Sequence, residues 1–145
     1  MPTDGRKRPR IVASKVVLDA SAFLAVANRE PGADQVYPRL RESMMSVVNA
    51  AEVLQKLAQK GMSNKKADEY VRQFVHEIVD FDYRQAVLVA AIAPKTLPLG
   101  LTFADRACLA LGYLRGVSVL TGDQKWEKVD LGIHIEVIRT TTNPV

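Results

Sequence analysis

The chain has 145 residues, of which 48% are apolar and 25% charged, the mix of one soluble globular domain with no room for a second sizeable core. No window approaches the roughly 18 uninterrupted apolar residues of a membrane span, the basic start is not followed by an apolar signal core, and one cysteine with two histidines excludes an internal disulfide and the usual structural zinc site. The net charge of +4 belongs to the leading segment, where Arg6, Lys7, Arg8, Arg10 and Lys15 face only Asp4, while everything after residue 15 is balanced.

Residues 1–14 read as a flexible basic arm, 15–139 as the domain and 140–145 as a short C-terminal tail, because MPTDGRKRPR lacks the apolar residues that would repay ordering. Between these ends short β-branched runs alternate with longer helical patterns, the signature of a parallel sheet with helix crossovers. Val16 to Asp19 is an apolar run ending in an acid, followed by a helix from Ala20 to about Asn28. Pro31 and Gly32 break the chain before a second helix, about Ala33 to Arg41, which Pro38 should distort. Met44 to Val48 reads as the second strand and Asn49 to about Gln59 as a helix ending at Gly61. Ser63 opens a helix with Ala67, Tyr70, Val71, Phe74 and Val75 on one face. Glu77 to Phe81 reads as the third strand, and Tyr83 to Ala93 as a helix, apolar nearly all round, stopped by Pro94. After a loop over Thr96 to Leu101, Thr102 to Arg115 is a helix closed by Gly116, and Val117 to Thr121 and Ile133 to Ile138 are the last strands.

Four carboxylates fall at equivalent places in this pattern. Asp19 follows strand one, Glu52 lies one turn into the helix after strand two, Asp105 opens a helix, and Asp123 follows strand four. All four are expected at the carboxyl edge of a parallel sheet, where open α/β sheets hold ligands. Acids in one crevice repel unless a cation is supplied, and oxygen donors without nearby nitrogen or sulfur ligands select magnesium or manganese. Taken singly, each acid reads first as a cap or turn residue: Asp19 as an N-cap, Asn49 with Glu52 and Thr102 with Asp105 as capping boxes, Asp123 in a turn. Four at one edge weigh against that reading. Ser21 and Thr121 place hydroxyls beside the acids, where they would orient a water or ligand or simply cap local backbone. His76 and His134 read as packing or surface residues, and Cys108 as a small buried hydrophobe.

The segments VVLDASAFLA, SVVNAAEVLQKL, LTFADRACLALG and VSVLTGDQKW resemble, in order and spacing, the four acidic blocks of the PIN domain, as found in VapC-type toxins of bacterial toxin–antitoxin pairs. The resemblance runs from Lys15 to about Arg139. It implies a three-layer α/β/α fold with a central, mainly parallel sheet, and a magnesium-dependent endoribonuclease. The family is usually a homodimer held inactive by a small antitoxin protein. The resemblance places the four family acids on Asp19, Glu52, Asp105 and Asp123, as catalytic residues and metal ligands for Mg2+ or Mn2+, with Thr121 and Ser21 as supporting hydroxyls. It implies products with 5′-phosphate and 3′-hydroxyl ends. The long basic arm departs from the family, whose first strand lies close to the initiator methionine.

The expected activity is therefore hydrolysis of RNA phosphodiesters in the cytoplasm, with Arg6, Lys7, Arg8 and Arg10 adding phosphate contacts from the arm. A haloacid-dehalogenase-like phosphotransferase would need DxD where this chain has Asp19, Ala20, Ser21. A non-catalytic PIN-like module that binds RNA or protein is the stronger rival, and an acid set that had decayed would favour it.

Overall fold

The computed structural model describes residues 15–138. Five strands form one sheet in the order β3-β2-β1-β4-β5, with every neighbouring pair parallel. The central strand β1 (Val16–Leu18) lies between β2 (Ser43–Ser46) and β4 (Ser118–Thr121), with β3 (Glu77–Val79) and β5 (Ile135–Val137) outside them. Parallel neighbours need crossovers, supplied up to β4 by α1 (Ala20–Ala27), α2 (Ala33–Val36), α3 (Val47–Gln59), α4 (Asn64–Phe74), α5 (Tyr83–Thr96) and α6 (Phe103–Arg115), and between β4 and β5 by a segment with the 3-10 turn Gln124–Lys128.

The helices cover both faces, and the period-two alternation of the strands divides the core accordingly. Val16 and Leu18 of β1, Met45 of β2 and Leu120 of β4 pack with Phe23 of α1, Val53 and Leu57 of α3 and Val71 of α4. Their neighbours Val17, Met44 and Val119 point the other way, against Ile92 of α5, Leu109 and Leu111 of α6, and Trp126. Every β1 side chain is fully buried, which explains why that strand reads as a continuous apolar run. The expected three-layer α/β/α architecture is the observed one.

Helix α6 explains its own boundaries. Thr102 Oγ1 accepts from the Asp105 amide at 3.2 Å while the Thr102 amide donates to Asp105 Oδ2 at 2.8 Å, a complete capping box. Gly116 closes the helix in the left-handed conformation at φ 66°. Within it, Gly112 faces β4 so closely that a methyl group would overlap Val119 Cγ2 and approach the Val117 carbonyl. Gly112→Ala is therefore expected to destabilise the fold by about 1–3 kcal/mol through overpacking, outweighing the gain in helix propensity. Urea denaturation measures this, and an unchanged midpoint would contradict it.

Three expected elements differ from the structure. The stretch read as one helix over Ala33 to Arg41 is the short α2 followed by a 3-10 turn, Tyr37–Glu42, because Pro38 cannot donate into an α-helical ladder. The second strand ends at Ser46, which caps α3 by accepting from the Val48 amide at 3.1 Å. Asn49 is consequently inside the helix rather than its cap. Helix α5 runs through Pro94 to Thr96. Ala90, whose carbonyl the missing N–H would have bonded, shares the exposed side of α5 with Pro94, so water can serve that carbonyl.

Candidate active site

Strand order reverses between β1 and β4, and the chain leaves both strands at the same edge. Asp19 sits where β1 ends, its amide still bonded to the Leu120 carbonyl at 2.9 Å. It occupies the N-cap position of α1, yet its side chain makes no capping bond. The carboxylate turns instead toward β4, where Ser21 Oγ donates to Oδ2 at 2.6 Å and Thr121 Oγ1 donates to the same oxygen at 2.8 Å. These hydroxyls are themselves aimed. The Gly122 amide donates to Ser21 Oγ at 2.8 Å, and the Asp123 amide donates to Thr121 Oγ1 at 3.0 Å. Two relays thus run from the backbone after β4, through one hydroxyl each, to a single carboxylate oxygen, and Oδ1 receives neither.

Asp19 is buried, with 4% of its surface exposed, and Thr121 is fully buried. Burial is the largest cause of an Asp19 pKa raised from 3.8 to about 6. The two hydroxyl bonds lower it, and the nearby charges of Asp105 and Glu52 raise it further. The same three carboxylates push up the thiol of Cys108, which lies fully buried one turn beyond Asp105 and is already raised by desolvation. The structure therefore brings Glu52 and Asp105 close enough for their charges to act on Asp19, with Ser21 and Thr121 beside it.

Asp105 also works in the α6 capping box, so the capping role read from the sequence is present alongside its proximity to Asp19. Asp123 caps the 3-10 turn Gln124–Lys128 by accepting from the Lys125 amide at 2.9 Å, and Lys125 Nζ lies 3.7 Å from its Oδ2. The Asp123 amide is linked to Asp19 through the Thr121 hydroxyl. Glu52 accepts from Asn49 Nδ2 at 3.3 Å. Arg6, Lys7, Arg8 and Arg10 lie outside the described residues.

An all-carboxylate set with buried hydroxyls has the donor chemistry of a magnesium or manganese site. Burial chiefly, and the charges of Asp105 and Glu52 in addition, disfavour the ionised Asp19, and a divalent ion would offset both. Among the described residues, no group of three or more His, Cys, Asp or Glu side chains is placed so that it could hold a metal ion.

Fold and crevice together define an α/β/α protein whose acids gather at the switch point of a parallel sheet. The PIN domain family pattern matches residues 16–131, and the chain belongs to that family. Among solved structures, the DNA-bound VapBC of Salmonella typhimurium is similar at 20% identity and a TM-score of 0.65, over 85% of this chain and 97% of that one. VapC20 of Mycobacterium tuberculosis, described as a sarcin-ricin loop cleaving toxin, is similar at 14% identity and a TM-score of 0.65, over 78% of this chain and 93% of that one. VapBC-5 from the same organism reaches 22% identity and a TM-score of 0.60, over 87% of this chain and 98% of that one. At these identities the likeness is one of fold. Comparison with curated proteins by sequence gives no match.

Proposed function

We propose that this protein is a divalent-metal-dependent endoribonuclease and the toxin of a toxin–antitoxin pair. The observation that carries the reading is Asp19: a buried carboxylate, free of capping duty, oriented by two hydroxyls and pressed by two further acids. A fold needs no such residue at the end of its central strand, because burying an unpaired carboxylate is unfavourable. Catalysis at clustered acids supplies the reason to keep it.

Asp19, Glu52, Asp105 and Asp123 would hold Mg2+ or Mn2+. Such an ion, when bound, lowers the pKa of water and offsets charge on phosphoryl oxygens. The chain's own contribution is orientation. Ser21 and Thr121 each commit their one proton to Asp19 Oδ2, which leaves Oδ1 as the oxygen free to face a cation. Because backbone amides aim both hydroxyls, this arrangement is in place before substrate arrives. The likeness to VapC20, described as a sarcin-ricin loop cleaving toxin, supports RNA as the substrate. The arm residues Arg6, Lys7, Arg8 and Arg10 would add phosphate contacts. Cleavage of a total RNA pool by the purified chain, with magnesium and then with chelator, tests the reading. Magnesium-dependent fragments with 5′-phosphate ends are expected, and an intact pool in both conditions would overturn it. That result would favour the rival reading, a non-catalytic RNA- or protein-binding module, on whose side stands the open arrangement of the acids.

Two surfaces bear on partners. A groove of about 760 Å³ runs past Tyr37, Leu40 and Phe74, and joins a second of about 510 Å³ lined by Val26, Tyr70 and the same Tyr37 and Phe74. Solved VapBC complexes among the structural relatives support an antitoxin segment as a partner, and this groove, whose lining also includes Arg29, Glu30, Asp34, Arg41 and His76, offers such a segment a mixed apolar and charged surface. On α5, Tyr83 is 82% and Val87 53% exposed, and Ala90, Ala91 and Pro94 continue that face. A helix face so apolar is expected to meet its copy in a homodimer. Sedimentation at micromolar concentration should show a dimer that Val87→Lys converts to monomer. A wild type that sediments as monomer would contradict this. No helix among the described residues is long and apolar enough to cross a membrane, and a cytoplasmic location is part of the proposal.

A further inference from the structure

Asn49 is read from the sequence as a cap, and the structure gives it a different place. It is the third residue of α3, behind the true cap Ser46, and its side chain is fully buried. Its Nδ2 donates to the Ala104 carbonyl at 3.0 Å and to Glu52 Oε1 at 3.3 Å. Ala104 immediately precedes Asp105 in the first turn of α6. One amide group therefore joins the helix that carries Glu52 to the turn that carries Asp105. Its orientation is fixed by its neighbours, since both are acceptors and only the NH2 side can face them. Oδ1 is then left buried with no hydrogen-bond partner.

Asparagine is a poor choice here if only the fold is served. It is a weak helix former, and a buried amide with an orphaned acceptor is less stable than an apolar side chain filling the same space. The contact it makes with Glu52 offers the missing reason. Glu52 has a long side chain with several rotamers, and fixing one carboxylate oxygen leaves the other to a single orientation. We infer that Asn49 is a positioning residue, whose amide holds the Glu52 carboxylate and ties it to the first turn of α6. This rests on reading the acids as a cation site, and it extends that reading to a side chain that does not itself ligate.

The test is direct titration of the full chain with Mn2+ by calorimetry, alongside thermal melting of each variant without metal. Asn49→Ala is expected to weaken Mn2+ binding by about 10–100-fold, the usual effect of losing a residue that orients a ligand. Asn49→Ser, which keeps a donor in a smaller side chain, should fold even if the alanine variant does not and should recover part of the affinity. The double variant Asn49→Ala with Glu52→Gln should bind no more weakly than Glu52→Gln alone, because Asn49 acts through Glu52. Wild-type affinity in Asn49→Ala and Asn49→Ser, with a lowered melting temperature and a weakened Glu52→Gln, would make Asn49 a purely structural residue and overturn the inference. Full additivity in the double variant would overturn it as well. A wild type that binds no Mn2+, or a Glu52→Gln variant that binds as the wild type does, would overturn the underlying cation-site reading and this inference with it.

Discussion

Asp19→Asn and Asp105→Asn are each expected to abolish magnesium-dependent RNA cleavage, and Asp19→Asn is expected to do so while making the metal-free protein more stable. Asparagine matches aspartate in shape and keeps one carbonyl oxygen. At position 19 that oxygen can still accept from both Ser21 and Thr121, so the hydroxyl relays survive. What disappears is a charge that burial disfavours and that Asp105 and Glu52 repel. A pKa raised from 3.8 to about 6 corresponds to about 3 kcal/mol of destabilisation when the group is ionised at neutral pH, an upper bound on the gain from removing it. Asp105→Asn keeps an acceptor for the Thr102 amide, and asparagine caps about as well as aspartate, so its stability should change little. Opposite movement of activity and stability is the mark of a site kept for chemistry. RNA cleavage and urea denaturation on both variants measure it. If both retained cleavage, the acids would be caps and core residues only, and the site assignment would fall.

The layers of this fold are written in local sequence, whereas the site is written partly in contacts between distant segments. Continuous burial of Val16, Val17 and Leu18 follows from sheet faces covered on both sides, and a run of β-branched and aliphatic residues announces that directly. The stop at Gly116 and the box at Thr102 and Asp105 are equally local. Asn49 shows the opposite case. Its spacing from Glu52 imitates a capping box, and the actual helix start depends on Ser46, a residue that reads as strand. Its amide bonds to the carbonyl of Ala104, which lies 55 residues along the chain. Asp19 stands at the strand end that the apolar run before it announces, but the local pattern cannot distinguish a capping aspartate from one turned toward Thr121, 102 residues away. Pro94 misleads for a related reason, since a proline on the solvent side of a helix leaves its lost carbonyl partner to water.

The stability of the metal-free protein is expected to fall as pH rises from about 4 to about 6, and added Mn2+ or Mg2+ should remove that fall. The sign follows from Asp19. Its folded-state pKa, about 6, lies above the ordinary value of 3.8, so the folded protein holds this proton more tightly than the unfolded chain does. The contribution is full below the unfolded pKa and is lost as pH climbs through the folded one. Glu77 acts in the opposite direction and in a lower window. Its hydrogen bond with Arg115 depresses its pKa, so that its contribution is present above the ordinary carboxylate range and disappears only in more acidic solution. The two groups therefore oppose each other, Glu77 losing its contribution in acid and Asp19 losing its own as pH climbs toward 6. A divalent cation favours the ionised carboxylates and competes with the proton, so its stabilising effect should grow as pH rises through about 6. At a concentration 100 times its dissociation constant, a cation adds about 2.7 kcal/mol, close to what ionisation of Asp19 removes. Urea denaturation from pH 4 to 7.5, in chelator and in Mn2+, measures both effects, and Asp19→Asn should flatten the chelator profile. A wild-type profile in chelator already as flat as that of Asp19→Asn would show that Asp19 ionises without penalty, and would remove the electrostatic reason for a cation at this edge of the sheet.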